Sequence, residues 1–453
     1  MTAFLRSSFC RSALLAAIWM VANGAAADSP ARPNIVVFLA DDEGYGELGC
    51  QGNSQIPTPH IDSIAASGVR FTQGYVSGPY CSPTRAGLMT GRYQTRFGHE
   101  WNGSGPKFGL PVTETTVAER LRALGYATCA VGKWHLGEAP QFVATNRGFD
   151  EFFGTKANTP FFHPLIIDTR VSTEANAIED DGFYTTDAYA ERACNWLDRH
   201  RDRQRDGNKD EPFFLYMPFN AQHAPLQAPP KYLDRFPQIN DENRRLFAAM
   251  MSAKDDAVGR VLAKVRELGQ EENTLVVYFS DNGGPTEKTT SSNGPLRGFK
   301  AQTWEGGVRV PFLMQWKGKL PAGKVYEHPV IQLDLLPTFI AAAGGTVLPE
   351  WKLDGVNLLP CLTGTNADKP HQTLYWRFGK QMAIRHGDWK LVRGVGIKEP
   401  ALFHLAVDVG EKNDLIAVEP AKAAELQSLW NAWNAEQMEP LWPPNGAKAK
   451  AGL

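Results

Sequence analysis

The sequence is short of cysteine, of long apolar runs and of net charge. Six cysteines in 453 residues are too few to staple a chain of this size, which excludes a disulfide-scaffolded protein. Lysine and arginine number 47 against 49 acids. That balance excludes a broadly basic nucleic-acid binder but leaves room for a local cationic pocket. The most apolar stretch, Ala13–Ala22, is ten residues long, half of the ~20 that a bilayer core requires. No internal repeat is visible. What is present is a hydrophobic content of 43% and an aromatic content of 11%, enough for a large buried core and incompatible with a disordered or fibrous chain.

Residues 1–27 read as an address. They carry Arg6 and Arg11, no acid, the short apolar run, and then Ala25-Ala26-Ala27. A basic start, a short apolar middle and small residues before the cut make a secretory leader. Cleavage is expected near Ala27, giving an exported protein (periplasmic, extracellular or lumenal) with no integral membrane segment. Cys10 leaves with the leader, so an odd number of cysteines remains.

The rest alternates strand and helix. Asn34–Ala40 is a continuous apolar run bounded by Pro33 and by Asp41-Asp42, the mark of a strand buried on both faces. Residues 126–131, 212–219 and 274–280 read the same way. Helical spacing marks 115–124, 185–200 and 241–268, the last closed by Gly269. The mixed-charge run Arg199–Glu211 is expected to be a solvated loop. The pattern predicts an α/β fold: a large, mostly parallel central sheet flanked by helices on both faces. After about residue 365 come short strands at 374–378, 382–385 and 389–392 and a helix at 421–438. They predict a smaller C-terminal α+β subdomain with an antiparallel sheet. The expected division is 1–27, 28–365 and 366–453, with a frayed tail from Pro443.

Chemistry gathers where strands end, the edge at which open α/β sheets bind ligands. One strand ends in Asp41-Asp42, another in Asp281-Asn282, and a third leads to His223. Neighbouring strand residues point to opposite faces, so each pair can converge only if the chain turns there, as Gly44, Gly46, Gly283 and Gly284 permit. Three carboxylates and an amide form an oxygen set suited to Ca²⁺ or Mg²⁺ rather than Zn²⁺. Turn-forming alone would explain either pair; two pairs at equivalent strand ends point to a metal. Lys133 and His135 flank Trp134, and if extended they share one face, suited to an anionic substrate and a proton transfer.

Cys81–Arg92, CSPTRAGLMTGR, resembles the signature of the formylglycine-dependent sulfatases. Other segments resemble the same family in order: Arg32–Gly52, Gly132–Gly137 (GKWHLG), Ser280–Gly284 (SDNGG) and Leu296–Pro311. The resemblance spans residues 32 to about 415. Within the family the chain is most similar to the arylsulfatase B or N-acetylgalactosamine-4-sulfatase type, through His223–Tyr232 and Asn293–Gly307. The resemblance implies an alkaline phosphatase-like fold and conversion of Cys81 to formylglycine by a separate maturation enzyme. The hydrated aldehyde would offer two hydroxyls: one attacks sulfur, and loss of the second proton re-forms the aldehyde and frees sulfate. A serine would be trapped as a stable ester.

The resemblance also implies roles. Asp41, Asp42, Asp281, Asn282 and residue 81 would hold the metal, calcium ahead of magnesium. Arg85, Lys133 and His135 would surround the nucleophile, with His135 as the base that expels sulfate. His223 and Lys300 would grip the sulfate and protonate the leaving oxygen. The pocket would be cationic in an acidic chain. Phe299 stands where a smaller residue is expected. Val409 and Asp414 depart from an expected proline and asparagine. The first is expected to alter the local wall of the sulfate pocket; the other two touch the C-terminal subdomain, not the chemistry.

The substrate class implied is a sulfated sugar or polysaccharide, with galactose or N-acetylgalactosamine sulfate as the leading choice. His99, Glu100, Trp101, Asn102, His163 and Trp304 are candidate sugar contacts, although packing would explain any one of them. The alternatives are a broad arylsulfatase, a phosphate or phosphonate monoesterase of the same fold, and a non-catalytic glycan-binding protein if Cys81 stays a thiol.

Overall fold

The computed structural model describes residues 32–205, 207, 211–442 and 444. The leader, and all of the tail from Pro443 except residue 444, lie outside the described residues.

Asn34–Ala40 is the centre of a ten-stranded sheet. Across the sheet the strands run Lys324–Tyr326, Val69–Phe71, Phe312–Trp316, Thr274–Ser280, Asn34–Ala40, Phe213–Pro218, Ala127–Lys133, Glu151–Thr155, Leu165–Asp168 and Asn176–Ala177. The run from Thr274–Ser280 to Glu151–Thr155 is parallel throughout. Phe312–Trp316 and Leu165–Asp168 join it antiparallel on either side.

The alternation of each strand explains why both faces are covered. In the central strand Val36, Phe38 and Ala40 enter one apolar cluster, and Ile35, Val37 and Leu39 enter another. Phe213, Leu215 and Met217 join the first, Phe214 and Tyr216 the second. On the first face lie helices Thr185–Arg205 and Glu242–Glu267; on the second lie Cys81–Thr90, Val117–Ala123 and Leu335–Ala342. Each large apolar side chain buried this way contributes roughly 1.5–3 kcal/mol.

Caps set several boundaries. Thr116 and Glu119 form a reciprocal capping box at the start of Val117–Ala123. The Asp241 side chain accepts from the Arg244 N–H at the start of Glu242–Glu267. One expectation fails. The chain stays helical to Arg205, through the first half of the charged run taken as a loop. Its charges are satisfied from the helix surface, as in the Arg199–Glu151 pair at 2.7 Å.

A four-stranded antiparallel sheet, Thr373–Phe378, Gln381–His386, Trp389–Arg393 and Ala401–His404, follows residue 365. Its last strand was not foreseen. Helix Pro420–Asn434 packs on it through Leu426, Trp430 and Trp433. The third apolar cluster also takes in Tyr75, Tyr93, Trp304 and Leu333, so this sheet shares its core with the larger part. Cys50, Cys81, Cys129, Cys194 and Cys361 are all free.

Candidate active site

Register brings the two acidic pairs together. Ala40 is paired with Ser280, so Asp41 and Asp281 leave adjacent strands side by side. The Asp281 N–H donates to the Ala40 carbonyl at 3.0 Å, and the Asp41 N–H to the Ala221 carbonyl at 3.1 Å. Asp42 then turns into left-handed backbone, φ 64°, and its N–H donates to Asp281 Oδ1 at 3.3 Å. Gly283 is required here: a Cβ on it would stand 1.7 Å from the Gly306 carbonyl oxygen. That close approach brings in the loop bearing Lys300.

Cys81 opens helix Cys81–Thr90, all of whose residues are buried. Its Sγ lies 3.6 Å from Asp41 Oδ1. Arg85, one turn on, is fully buried and donates from Nε and Nη2 to Asp281 Oδ2 at 3.1 and 2.8 Å. Its Nη1 donates to the Lys133 carbonyl at 2.7 Å. Lys133 ends its strand and donates to Asp41 Oδ2. Lys300 donates to Asp42 Oδ1 at 2.6 Å. His223 Nε2 lies 3.7 Å from Asp42 Oδ2, and its Nδ1 bonds the Ala224 carbonyl at 2.6 Å. The extended reading of Lys133-Trp134-His135 does not hold to its end, because His135 is left-handed with φ 57°. Trp134 goes to the core, as the spacing required.

The charges are strongly coupled. Burial raises the Asp41 carboxyl, but Lys133, His223, Arg85 and Lys300 outweigh it and hold the group well below the usual range. Burial and then the Asp41 charge push Asp281 up, against Arg85 and Lys133. Burial pushes the Cys81 thiol up to about 12, so an unmodified thiol here is neutral and a poor nucleophile. Burial drives His135 well below, and His223 below, the ordinary imidazole value. Burial opposes charge on Lys300, but Asp42 more than reverses this and keeps it cationic.

The residues fit a cation. Ligand atoms of Asp41, Asp42, Cys81 and Asp281 lie within 4.8 Å of one another. Asn282 Nδ2 donates to Asp42 Oδ1 at 2.8 Å, which leaves its buried Oδ1 without a partner. An orphaned buried oxygen beside three carboxylates is the donor chemistry of a hard divalent ion. An ion there would also relieve the repulsion that raises Asp281.

A cleft of ≈ 430 Å³ opens beside this cluster, lined among others by Asp42, Tyr80, Asn102, Asn158, His223, Glu287, Lys288, Phe299 and Lys300. Of the candidate sugar contacts only Asn102 lines it, and its Oδ1 also accepts from the Ser82 N–H at 3.0 Å. His99 is fully buried against Ser82. Glu100 is held by Arg377 at 2.7 Å and by the Gly379 N–H at 2.6 Å. Trp101 packs against Phe378 with ring centroids 4.2 Å apart and planes tilted by 46°. His163 bonds the Ile178 carbonyl at 3.2 Å, away from the cleft lining. Trp304 is a core residue under Arg297, its Nε1 donating to the Val395 carbonyl. Sequence reasoning missed Tyr80, Asn158, Glu287 and Lys288 as cleft residues. It also missed Lys254, which donates to Glu43 behind the metal segment. Only Lys254 left a signal, a charge at a core position of an amphipathic helix.

Comparison with known proteins identifies the family. The profile of the family described as Sulfatase matches residues 33–345. One described as N-sulphoglucosamine sulphohydrolase, C-terminal, matches residues 299–438. Human arylsulfatase A is 37% identical over 396 residues, covering 81% of this chain and 73% of that protein. The dog N-acetylgalactosamine-6-sulfatase is 34% identical over 391 residues, covering 81% and 72%. The crystal structure of Ps i-CgsB in complex with k-i-k-neocarrahexaose superposes with a TM-score of 0.84 at 34% identity, covering 91% of this chain and 94% of that one. The chain belongs to the sulfatase family and is a sulfatase.

Proposed function

We propose that the protein is an exported sulfatase that removes O-sulfate from a sulfated sugar or polysaccharide, with galactose or N-acetylgalactosamine sulfate as its substrate unit. Residue 81 acts as formylglycine, made from Cys81 by a separate maturation enzyme. Asp41, Asp42, Asp281, Asn282 and residue 81 hold the metal, calcium ahead of magnesium. The chemistry belongs to residues 28–365, with 366–453 as a subdomain. Export rests on the leader pattern of residues 1–27; among the described residues no helix is long and apolar enough to cross a membrane.

The observation that carries the reading is the placement of residue 81. It opens a buried helix with its Sγ 3.6 Å from Asp41 Oδ1, the carboxylate to which Lys133 donates and which Arg85 approaches at 3.7 Å, while its neighbour Tyr80 lines the cleft together with Lys300. When formed, the hydrated aldehyde supplies an attacking oxygen and a way to release sulfate; a bound cation supplies charge neutralisation at a sulfate oxygen. The side chains do the rest. Arg85 fixes Asp281 and the Lys133 backbone together. Lys133 and Lys300 place two positive charges beside the reacting group, where charge on the sulfuryl oxygens is stabilised without reorganisation. The Ala224 carbonyl fixes a proton on His223 Nδ1, so Nε2 is the atom that takes up and gives a proton at the leaving oxygen. His135, whose buried Nδ1 has no partner, is assigned the acceptance of the proton that releases sulfate. The names of the relatives support a sulfated sugar as substrate.

The test is turnover of a panel: galactose and N-acetylgalactosamine sulfates with the ester at position 4 or 6, an aryl sulfate, and an aryl phosphate. The reading expects sulfated sugar to be the best substrate. Faster turnover of the phosphate overturns it.

A further inference from the structure

Ser82, the residue after the proposed nucleophile, lies at a crossing of hydrogen bonds. Its hydroxyl is fully buried. It donates to the His135 carbonyl at 2.7 Å and sits 2.6 Å from His99 Nε2. A hydroxyl has one proton. A carbonyl can only accept, so that proton goes to His135, and His99 must donate from Nε2. His99 thus carries a proton on Nε2, and Nδ1, which has no hydrogen-bond partner, carries none in the neutral ring. Burial, which pushes this imidazole down to about 3, agrees.

The bond to His135 falls on a strained residue. His135 is left-handed, φ 57°, a conformation that persists in a non-glycine residue only where its surroundings enforce it. Its N–H is held by the Lys156 carbonyl at 2.8 Å and its carbonyl by Ser82. The two bonds clamp the peptide groups on either side of the Cα that carries the imidazole.

His99 is itself held in place. Its ring meets Trp442 edge-on at 4.7 Å and Phe108 at 5.5 Å. Trp442 Nε1 donates to the Trp101 carbonyl at 2.9 Å, and the Leu441 N–H to the Gly98 carbonyl at 2.9 Å.

We infer that Ser82 and His99 are positioning residues for His135: the His99–Ser82 relay holds the left-handed backbone that aims the His135 imidazole at residue 81. This rests on the reading of His135 as a group at the reacting atoms. His99 is thereby moved from a candidate sugar contact to a support of the proton-transfer machinery.

The experiment uses the full-length enzyme with kcat and KM on an aryl sulfate. Rates are expressed per chain converted at residue 81, measured by peptide mass spectrometry, and melting curves report folding. Ser82→Ala and His99→Leu are expected to lower kcat on the order of ten- to a hundredfold, with KM changed less than about twofold. Ser82→Thr, which keeps the hydroxyl, or His99→Gln, which keeps an N–H donor, should recover most of the loss. A purely structural role would lower the folded or converted fraction and leave kcat per converted chain unchanged. The inference is overturned if kcat per converted chain stays within about twofold in both Ser82→Ala and His99→Leu, or if neither conservative variant recovers activity. Should Ser82→Ala fail to fold, the His99 pair decides alone. His135→Ala separates the two claims: if it keeps full activity, the role of His135 itself is wrong; if it is inactive while Ser82→Ala and His99→Leu are both normal, only the positioning fails.

Discussion

Lys254→Met should cost this protein about 3–5 kcal/mol of stability. Lys254 projects from Glu242–Glu267 into the core, and neither it nor Glu43 has any exposed side-chain surface. Its ammonium donates to Glu43 and, at 3.2 Å, to Gln222 Oε1. Glu43 is also held by the Tyr278 hydroxyl at 2.8 Å, and its own N–H donates to Ser280 Oγ at 3.0 Å. Methionine matches the length of lysine but leaves the Glu43 carboxylate buried without a cation, the case in which removal of one partner is most damaging. A domain commonly has only about 5–15 kcal/mol in total, so the loss should be plain in urea unfolding. The midpoint should fall with m unchanged. Removing the second charge as well, in Lys254→Met with Glu43→Gln, should recover at least half of the loss, because a buried pair replaced as a whole is often nearly neutral. A single-variant cost below about 1 kcal/mol, or a double variant as unstable as the single, would refute the reasoning.

Three further outcomes follow. Cys81→Ala should abolish turnover while the melting temperature changes little, since only a small buried group is lost; retained activity would remove the proposed nucleophile. Asn282→Ala should weaken Ca²⁺ binding, followed by calorimetry, on the order of tenfold, ~1.4 kcal/mol, and unchanged affinity would take the orphaned Oδ1 out of the donor set. His371 Nε2 bonds Asp334 Oδ1 at 2.7 Å. Burial lowers this imidazole, but the Asp334 charge and hydrogen bond more than reverse it. A raised folded-state value stabilises fully below the unfolded ~6.5 and is lost as pH rises through the folded value. The stability gap between wild type and His371→Gln should shrink over that interval; a gap independent of pH would contradict it.

The central sheet was legible because its strands are apolar on both faces, the pattern of a sheet covered on both sides. Asp41-Asp42 and Asp281-Asn282 stood out as polar punctuation at the ends of those runs, and the strand register does bring them together. Helix Cys81–Thr90 has no amphipathic stripe, because every side is buried; only its motif pointed to it. The left-handed turn at His135 was invisible, since a histidine in that conformation has no local signal and depends on Ser82 and Lys156 from elsewhere. The sugar contacts were the least legible. His99 and Trp304 have the residue types that bind sugars, but those types also fill cores, and burial alone separates the two uses. Tyr80, Asn158 and Lys288 reach the cleft through the path of loops, which no periodicity encodes.

The proposed reaction turns on the chemical state of residue 81. Intact-peptide mass spectrometry of the Cys81 peptide, taken from enzyme that is turning over a sulfate ester, tests it directly. The expected result is a peptide in which the thiol has become an aldehyde, in a fraction that tracks specific activity. Full activity from protein carrying only the unmodified thiol would contradict it.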